Sequence, residues 1–354
     1  MGNKKIKIIH LLNTNSYSGA ENVVITIINS MKDDYVFYYA SFDGPIKEKI
    51  VNERIHFYNI KKMSIFYIRK LVKDLKPDVI HAHDFTTSMI CALSGINISI
   101  ISHIHKNPPW LKKIGVYSIA YFLSSFRYKK ILMVSDSILN EYVFSNLIRQ
   151  KSEVIGNPIE TSRVIKKSKI KSCNKYYDII FLGRLSEPKN PLKFIEIIGR
   201  LVEGNNKVKA AMIGSGEMMD LCKKQIMDNN LSENIDLLGF IDNPYPILSN
   251  SKVLLMPSKW EGFGLAAVEA LALGIPVIAT PVGGLPGIVD DDCGEICNND
   301  ENMIDEIKKL LHNDLYYSNK RSGALKKAKS IENIEDYIGN MGLLYSKLIK
   351  TEDF

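Results

Sequence analysis

Two glutamates, Glu261 and Glu269, lie eight positions apart, and the turn Gly262-Phe263-Gly264-Leu265 separates the first from a run of helix formers, Ala266 to Leu273. A helix that opens on such a turn leaves its first N–H groups without intrahelical partners and points the positive end of its dipole outward, which suits a phosphate. The apolar runs 253–256 before the turn and 275–279 after it predict strand, turn, helix, strand. Two glycines and two glutamates within nine residues are more than an ordinary crossover with solvated carboxylates requires.

Cations suited to the same ligand stand in a second loop. The predicted strand 178–182 runs into Gly183-Arg184-Leu185-Ser186-Glu187-Pro188-Lys189-Asn190. Loops at the carboxyl ends of parallel strands line the crevice where ligands bind, so Arg184 and Lys189 are placed as two cations on a phosphate would be. Solvated surface charge is the alternative. Histidines gather by the same logic. Predicted strands over 78–84 and 98–105 end in His81-Ala82-His83 and His103-Ile104-His105, which brings four imidazoles to one sheet edge. They have the spacing to bind zinc, but the neighbouring ends supply no cysteine; binding or polarising a substrate hydroxyl is the other reading, and packing accounts for the rest. Two further motifs are weaker. Gly214-Ser215-Gly216-Glu217 lacks both the third glycine of a dinucleotide fingerprint and the Gly-Lys of a P-loop, and Asp290-Asp291-Asp292, before Cys293-Gly294, reads as a turn.

The elements that must carry these groups follow from the whole chain. Its 354 residues suggest two domains, and 45% apolar with 24% charged residues is a soluble globular composition. Five scattered cysteines make no disulfide framework and point to a reducing compartment. The start Met1 to Leu12 has too short an apolar part and no cleavage site for a signal peptide, and a cytoplasmic protein is expected. A net charge of +7 implies an anionic partner, while the absence of zinc-finger spacing and of an aromatic-glycine RNA-binding pattern argues against nucleic acid.

In order, a strand over 5–12, a polar loop 13–21 holding Gly19, and a helix from Val23 open an α/β domain. Strands are expected at 35–41, 55–60 and 131–134, with a last short one at 154–159. The stretch 106–130 holds six lysines and arginines and no acid, interleaved with Trp110, Tyr117, Tyr121, Phe122 and Phe126. Its apolar middle is short of the about 20 residues that span a bilayer, so it is either a core helix with a basic rim or a helix lying on an anionic membrane surface. Residues 160–177 are polar and lysine-rich and read as a linker; the second half then restarts the alternation with strands at 178–182, 208–213 and 235–240.

The residues now assembled resemble the family 4 retaining glycosyltransferases, the group 1 type that includes bacterial capsule, O-antigen and exopolysaccharide enzymes. The resemblance rests on Gly183-Arg184, Lys189-Asn190, Pro257-Ser258, Glu261-Gly262-Phe263-Gly264-Leu265, Glu269-Ala270, Gly274, Pro276-Val277 and Gly283-Gly284, and covers nearly the whole chain. Ser18-Gly19-Ala20-Glu21 looks like the family's Gly-Gly-x-Glu with its first glycine replaced. It implies an α/β GT-B fold: two Rossmann-like domains with parallel sheets facing across a cleft, an acceptor domain at 1–165, a donor domain at 172–336 and a helix at 337–354 returning to the first.

It further implies a nucleotide-diphosphate sugar donor, expected to be a UDP-sugar, and no metal. Arg184 and Lys189 would clamp the diphosphate with the N–H groups of Gly262, Phe263, Gly264 and Leu265, Glu269 would hold the ribose, and Glu261 the donor sugar. Gly19 and Ile241 join the donor-binding set, and His105 is the catalytic histidine, with His103 the fallback. The acceptor would be lipid-linked or polysaccharide, at the cytoplasmic face of the membrane. A GT-B epimerase or phosphorylase, or a non-catalytic sugar-binding subunit, is the rival reading.

Overall fold

The computed structural model describes residues 5–50, 55–170, 175–204 and 207–350. The chain divides into two compact units, Met1–Pro158 with Asn333–Phe354, and Ile159–Glu332.

Among the described residues the first unit is built on seven strands: β1 (Ile6–Leu11), β2 (Tyr35–Ser41), β3 (Ile55–Asn59), β4 (Val79–His83), β5 (Ser99–Ile104), β6 (Lys130–Met133) and β7 (Ser152–Val154). All pair in parallel, in the order β3-β2-β1-β4-β5-β6-β7. A parallel sheet is covered on both faces, which is why β4 and β5 are buried at every position. Any polar side chain in them must find a partner inside. The helix Ile65–Leu75 stops where Lys76 turns left-handed, with φ of 47°, and Pro77 follows, so the chain can enter β4. The helix Ile334–Lys350 belongs to this unit and packs against β4.

The second unit has six described strands: β8 (Tyr177–Leu182), β9 (Ala210–Ile213), β10 (Ile235–Gly239), β11 (Ser251–Met256), β12 (Val277–Ala279) and β13 (Gly294–Ile296), parallel in the order β10-β9-β8-β11-β12-β13. Side chains alternate across the sheet along β11. Val253 and Leu255 pack with Phe194 and Ile198, while Leu254 and Met256 pack with Ala267 and Leu271 of the helix Leu265–Ala272. Two apolar layers thus fix the strand whose end carries Glu261.

Three local expectations are corrected, and one residue singled out in the sequence lies outside the described residues. The stretch read as a polar linker contains the helix Thr161–Ser168, because Thr161 and Val164 find cover and Glu332 accepts from the Thr161 N–H at 3.0 Å. Residue Cys173 and its neighbours 171–174 lie outside the described residues. The first helix begins at Gly19 and not at Val23, with Ser18 at its N-cap. The short strand at the end of the first unit is 152–154, since its pairing with β6 ends at Val154.

Candidate active site

In the second unit, the loop after β8 and the loop after β11 are joined. The Lys259 N–H donates to the Pro188 carbonyl at 2.8 Å, Lys259 Nζ reaches Glu187 at 3.2 Å, and Lys189 forms an ion pair with Glu261. Glu261 is buried, so Lys189 provides the countercharge that an isolated carboxylate there requires. Arg184, in the same loop, is exposed and makes no ion pair among the described residues.

Gly264 caps the helix Leu265–Ala272 with φ of 109°, a conformation that disfavours any side chain, and a Cβ there would also stand 2.8 Å from Leu285. Gly283 and Gly284 pass under the same turn. The Gly284 N–H donates to the Gly262 carbonyl at 3.1 Å, and a Cβ on Gly283 would come within 1.6 Å of the Glu261 carbonyl oxygen. Only bare backbone fits, so the second loop holds the first in place. The first N–H groups of this helix have no intrahelical partner, as at any helix start.

Glu269 lies one turn into the helix and accepts from the Tyr245 hydroxyl at 3.0 Å. Burial pushes its carboxyl up to about 7, against the Tyr245 hydrogen bond and the charges of Lys167 and Arg163, which pull it down. Ile241 follows β10 and is partly buried against the cluster that includes Leu271. Arg184, Lys189, Glu261, the 262–265 turn, Ile241 and Glu269 are therefore all set on the carboxyl-end loops and one helix of a single parallel sheet.

The first unit holds Gly19 and the histidines. Gly19 is exposed at the first position of its helix, and the Ser18 hydroxyl donates to Glu21, a buried carboxylate whose pKa burial raises. His81, His83, His103 and His105 do gather, and His10 on β1 joins them because β1 and β4 place His10 beside His81. Burial lowers all five imidazole pKa values, to about 3 for His10 and His105 and well below the ordinary 6.5 for the others. His81 and His103 are fully buried, whereas His105 is partly exposed.

Sequence reasoning missed four residues. Asp84 sits at φ of 70°, uncommon outside glycine; its carboxylate accepts from the His105 N–H at 3.1 Å and pairs with Lys106 at 3.0 Å, fixing the backbone of His105. Tyr245 and Tyr345 reach Glu269 and His81 from distant segments, and no local spacing announces either. His10 did leave a signal, as a polar residue inside an apolar strand.

No helix among the described residues is long and apolar enough to cross a membrane. Residues 163–331 match the model of the glycosyl transferases group 1, and residues 17–163 that of glycosyltransferase family 4. The chain is 26% identical over 284 residues to CapH of Staphylococcus aureus, a capsular polysaccharide biosynthesis glycosyltransferase, covering 75% of this chain and 78% of CapH. It is 24% identical over 343 residues to the N-acetylgalactosamine-N,N'-diacetylbacillosaminyl-diphospho-undecaprenol 4-alpha-N-acetylgalactosaminyltransferase of Campylobacter jejuni, covering 90% of this chain and 93% of that enzyme. Anabaena HepE, crystallised with UDP and glucose, superposes with a TM-score of 0.84 at 17% identity over 96% of this chain and 99% of HepE, a likeness of fold. Two parallel-sheet units of GT-B type, family models that together run from residue 17 to 331, and motif-bearing loops after β8, β11 and β12 of the second sheet place this chain among the family 4, group 1 glycosyltransferases.

Proposed function

We propose that this glycosyltransferase moves a sugar, with retention and without a metal ion, from a UDP-sugar to a lipid-linked or polysaccharide acceptor in the synthesis of a cell-surface glycan. The observation that carries the donor reading is the joined pair of loops in the second unit, where Lys189 pairs with Glu261, Arg184 stands exposed in the same loop as Lys189, and Glu261 precedes a glycine-capped helix start. Breaking a glycosyl phosphate develops negative charge on the departing diphosphate, and fixed cations with oriented N–H groups stabilise that charge without rearranging. Arg184, Lys189 and the N–H groups of Gly262, Phe263, Gly264 and Leu265 are assigned to the diphosphate, where they supply the positive charge a metal would otherwise bring. Glu269, beside Tyr245, is assigned to the ribose, Glu261 to the donor sugar, and Ile241 to the nucleotide's surroundings. Gly19 and His105, from residues 1–158 that we take as the acceptor domain, are assigned to the sugar end, His105 as a hydroxyl-binding group.

Retention is assigned to attack on the face from which the phosphate leaves. The bond from the anomeric carbon to the phosphate oxygen breaks, the bond to the acceptor oxygen forms on the same side, and the acceptor's proton passes to the leaving phosphate oxygen. Retaining hydrolases instead use two carboxyl groups about 5 Å apart, for which the residue pattern offers no evident pair. The reading is tested by following free nucleotide diphosphate over a panel of nucleotide sugars: transfer releases it, and a non-hydrolysing epimerase does not.

Membrane-surface binding is favoured by the helix Val116–Ser125 and its flanks. Tyr121 is buried on one side, while Val116 is 82% exposed, Ile114 70%, Phe126 67% and Leu123 59%, next to exposed Lys112, Lys113 and Lys129. A core helix would bury such side chains; an anionic lipid surface accommodates both the apolar face and the lysines. Binding to vesicles containing acidic lipid is expected in flotation, and replacing Lys112, Lys113 and Lys129 together by glutamine is expected to reduce it at least about tenfold, at about 1 kcal/mol per cation. No flotation, or flotation unchanged by the triple replacement, removes the claim.

A further inference from the structure

The imidazoles of the first unit form two rows. In one, His10 Nδ1 meets His83 Nε2 at 3.0 Å and His83 Nδ1 meets His105 Nε2 at 2.9 Å. In the other, the Tyr345 hydroxyl meets His81 Nδ1 at 2.7 Å and His81 Nε2 meets His103 Nδ1 at 3.1 Å. The rows stack on each other, with His81 over His83 at 4.5 Å and His103 against His105 at 4.1 Å. Tyr345 joins them, its hydroxyl lying 3.5 Å from His10 Nε2. The nitrogens of two triplets, His10-His81-His83 and His83-His103-His105, fall within 4.8 Å of one another, and both nitrogens of the shared His83 are already paired with His10 and His105.

A neutral imidazole donates from one nitrogen and accepts at the other, so each row runs in a single direction, and the one O–H of Tyr345, set between His81 and His10, carries that direction through the whole chain when it is itself satisfied. Its far end decides which. His103 Nε2 is buried with no partner among the described residues, and although a buried donor or acceptor left unsatisfied costs about 1–3 kcal/mol either way, folded proteins leave buried N–H groups orphaned more rarely than acceptors. A bare lone pair is accordingly assigned there. His103 then donates from Nδ1 to His81, His81 from Nδ1 to Tyr345, Tyr345 to His10, His10 from Nδ1 to His83, and His83 from Nδ1 to His105.

We infer that this chain locks all five imidazoles as Nδ1–H tautomers and presents His105 as an N–H donor to a substrate oxygen, which makes Tyr345 and His10 positioning residues for His105. The His105 Nδ1 takes no partner among the described residues and His105 is partly exposed, which leaves that N–H available. Burial keeps the imidazoles neutral, as a directional chain requires. Only the link to turnover rests on the role proposed above for His105; the tautomer state does not.

Nitrogen-resolved NMR of the histidine-labelled protein near neutral pH reads it directly. The five cluster histidines are expected to carry the proton on Nδ1, against His56 and His312 elsewhere in the chain as internal references. An Nε2–H signal for His105 or His103 overturns the inference, whether or not any variant folds. In Tyr345→Phe the two rows are uncoupled: His105 is expected to become a tautomer mixture and kcat to fall about tenfold, the worth of one good hydrogen bond, with the donor KM unchanged. A folded Tyr345→Phe with His105 still wholly Nδ1–H removes Tyr345 from the role. If His105→Ala keeps full turnover while the wild-type spectrum is as expected, the catalytic assignment of His105 fails and the tautomer lock stands.

Discussion

Arg184→Ala is expected to lower kcat/KM for the donor by about 10²–10³-fold, the range found when one fixed group facing a developing negative charge is removed. Arg184 is exposed and has no ion pair among the described residues, so its loss leaves no buried partner behind, and unfolding midpoints should move by no more than about 0.5 kcal/mol. Lys189→Ala differs, because Lys189 is the ion-pair partner of Glu261, whose side chain is 10% exposed. Activity should fall as far, and stability should fall as well, since an uncompensated buried carboxylate remains. In a double-mutant cycle with Glu261→Ala, the two losses are expected to be strongly non-additive. Steady-state kinetics with circular dichroism of each variant separates the effects; full turnover by folded Arg184→Ala would remove the diphosphate assignment.

The first unit is expected to lose stability steeply on acidification below pH 6.5. Unfolded imidazoles take up protons near their ordinary 6.5, whereas in the fold His10 and His105 hold off until about 3 and His81, His83 and His103 are also well below 6.5. Between 6.5 and about 3 the unfolded chain therefore binds more protons, so stability is intact above 6.5 and drains as the pH falls. Each such group contributes up to about 1.4 kcal/mol per pH unit, and five act together. Glu21, raised by burial, works the other way in the same unit, but it is one group against five. Denaturant midpoints measured from about pH 7.5 down to about pH 5 check this; a flat profile would mean the histidines are not held neutral.

Much of the architecture was legible because its signals are local. The strand, glycine turn, helix and strand across 253–279 follow from apolar runs interrupted by Pro257 and by glycines at 262 and 264, and β11, the helix Leu265–Ala272 and β12 appear there. The helix Thr161–Ser168 was missed since its apolar face is only Val164 and its cover comes from distant residues. Of the histidine cluster, the two on β4, His103 on β5 and His105 just after it were visible from their period of two. His10 stood out as a polar residue in an apolar strand, but its place in the cluster did not, because strand order puts β1 next to β4 through a crossover that no spacing encodes, and Tyr345 lies 264 positions from His81. Close backbone crossings such as Gly283 against Glu261 are likewise tertiary facts, though a glycine pair marks where one is wanted.

The most direct test is the release of free nucleotide diphosphate from a panel of nucleotide sugars, with and without a lipid-linked acceptor and with a chelator throughout. Acceptor-dependent release from one UDP-sugar, undiminished by the chelator and lost in Glu261→Ala, is the expected result. No release from any nucleotide sugar, or release that the chelator abolishes, would contradict a metal-independent transfer run by Arg184, Lys189 and Glu261.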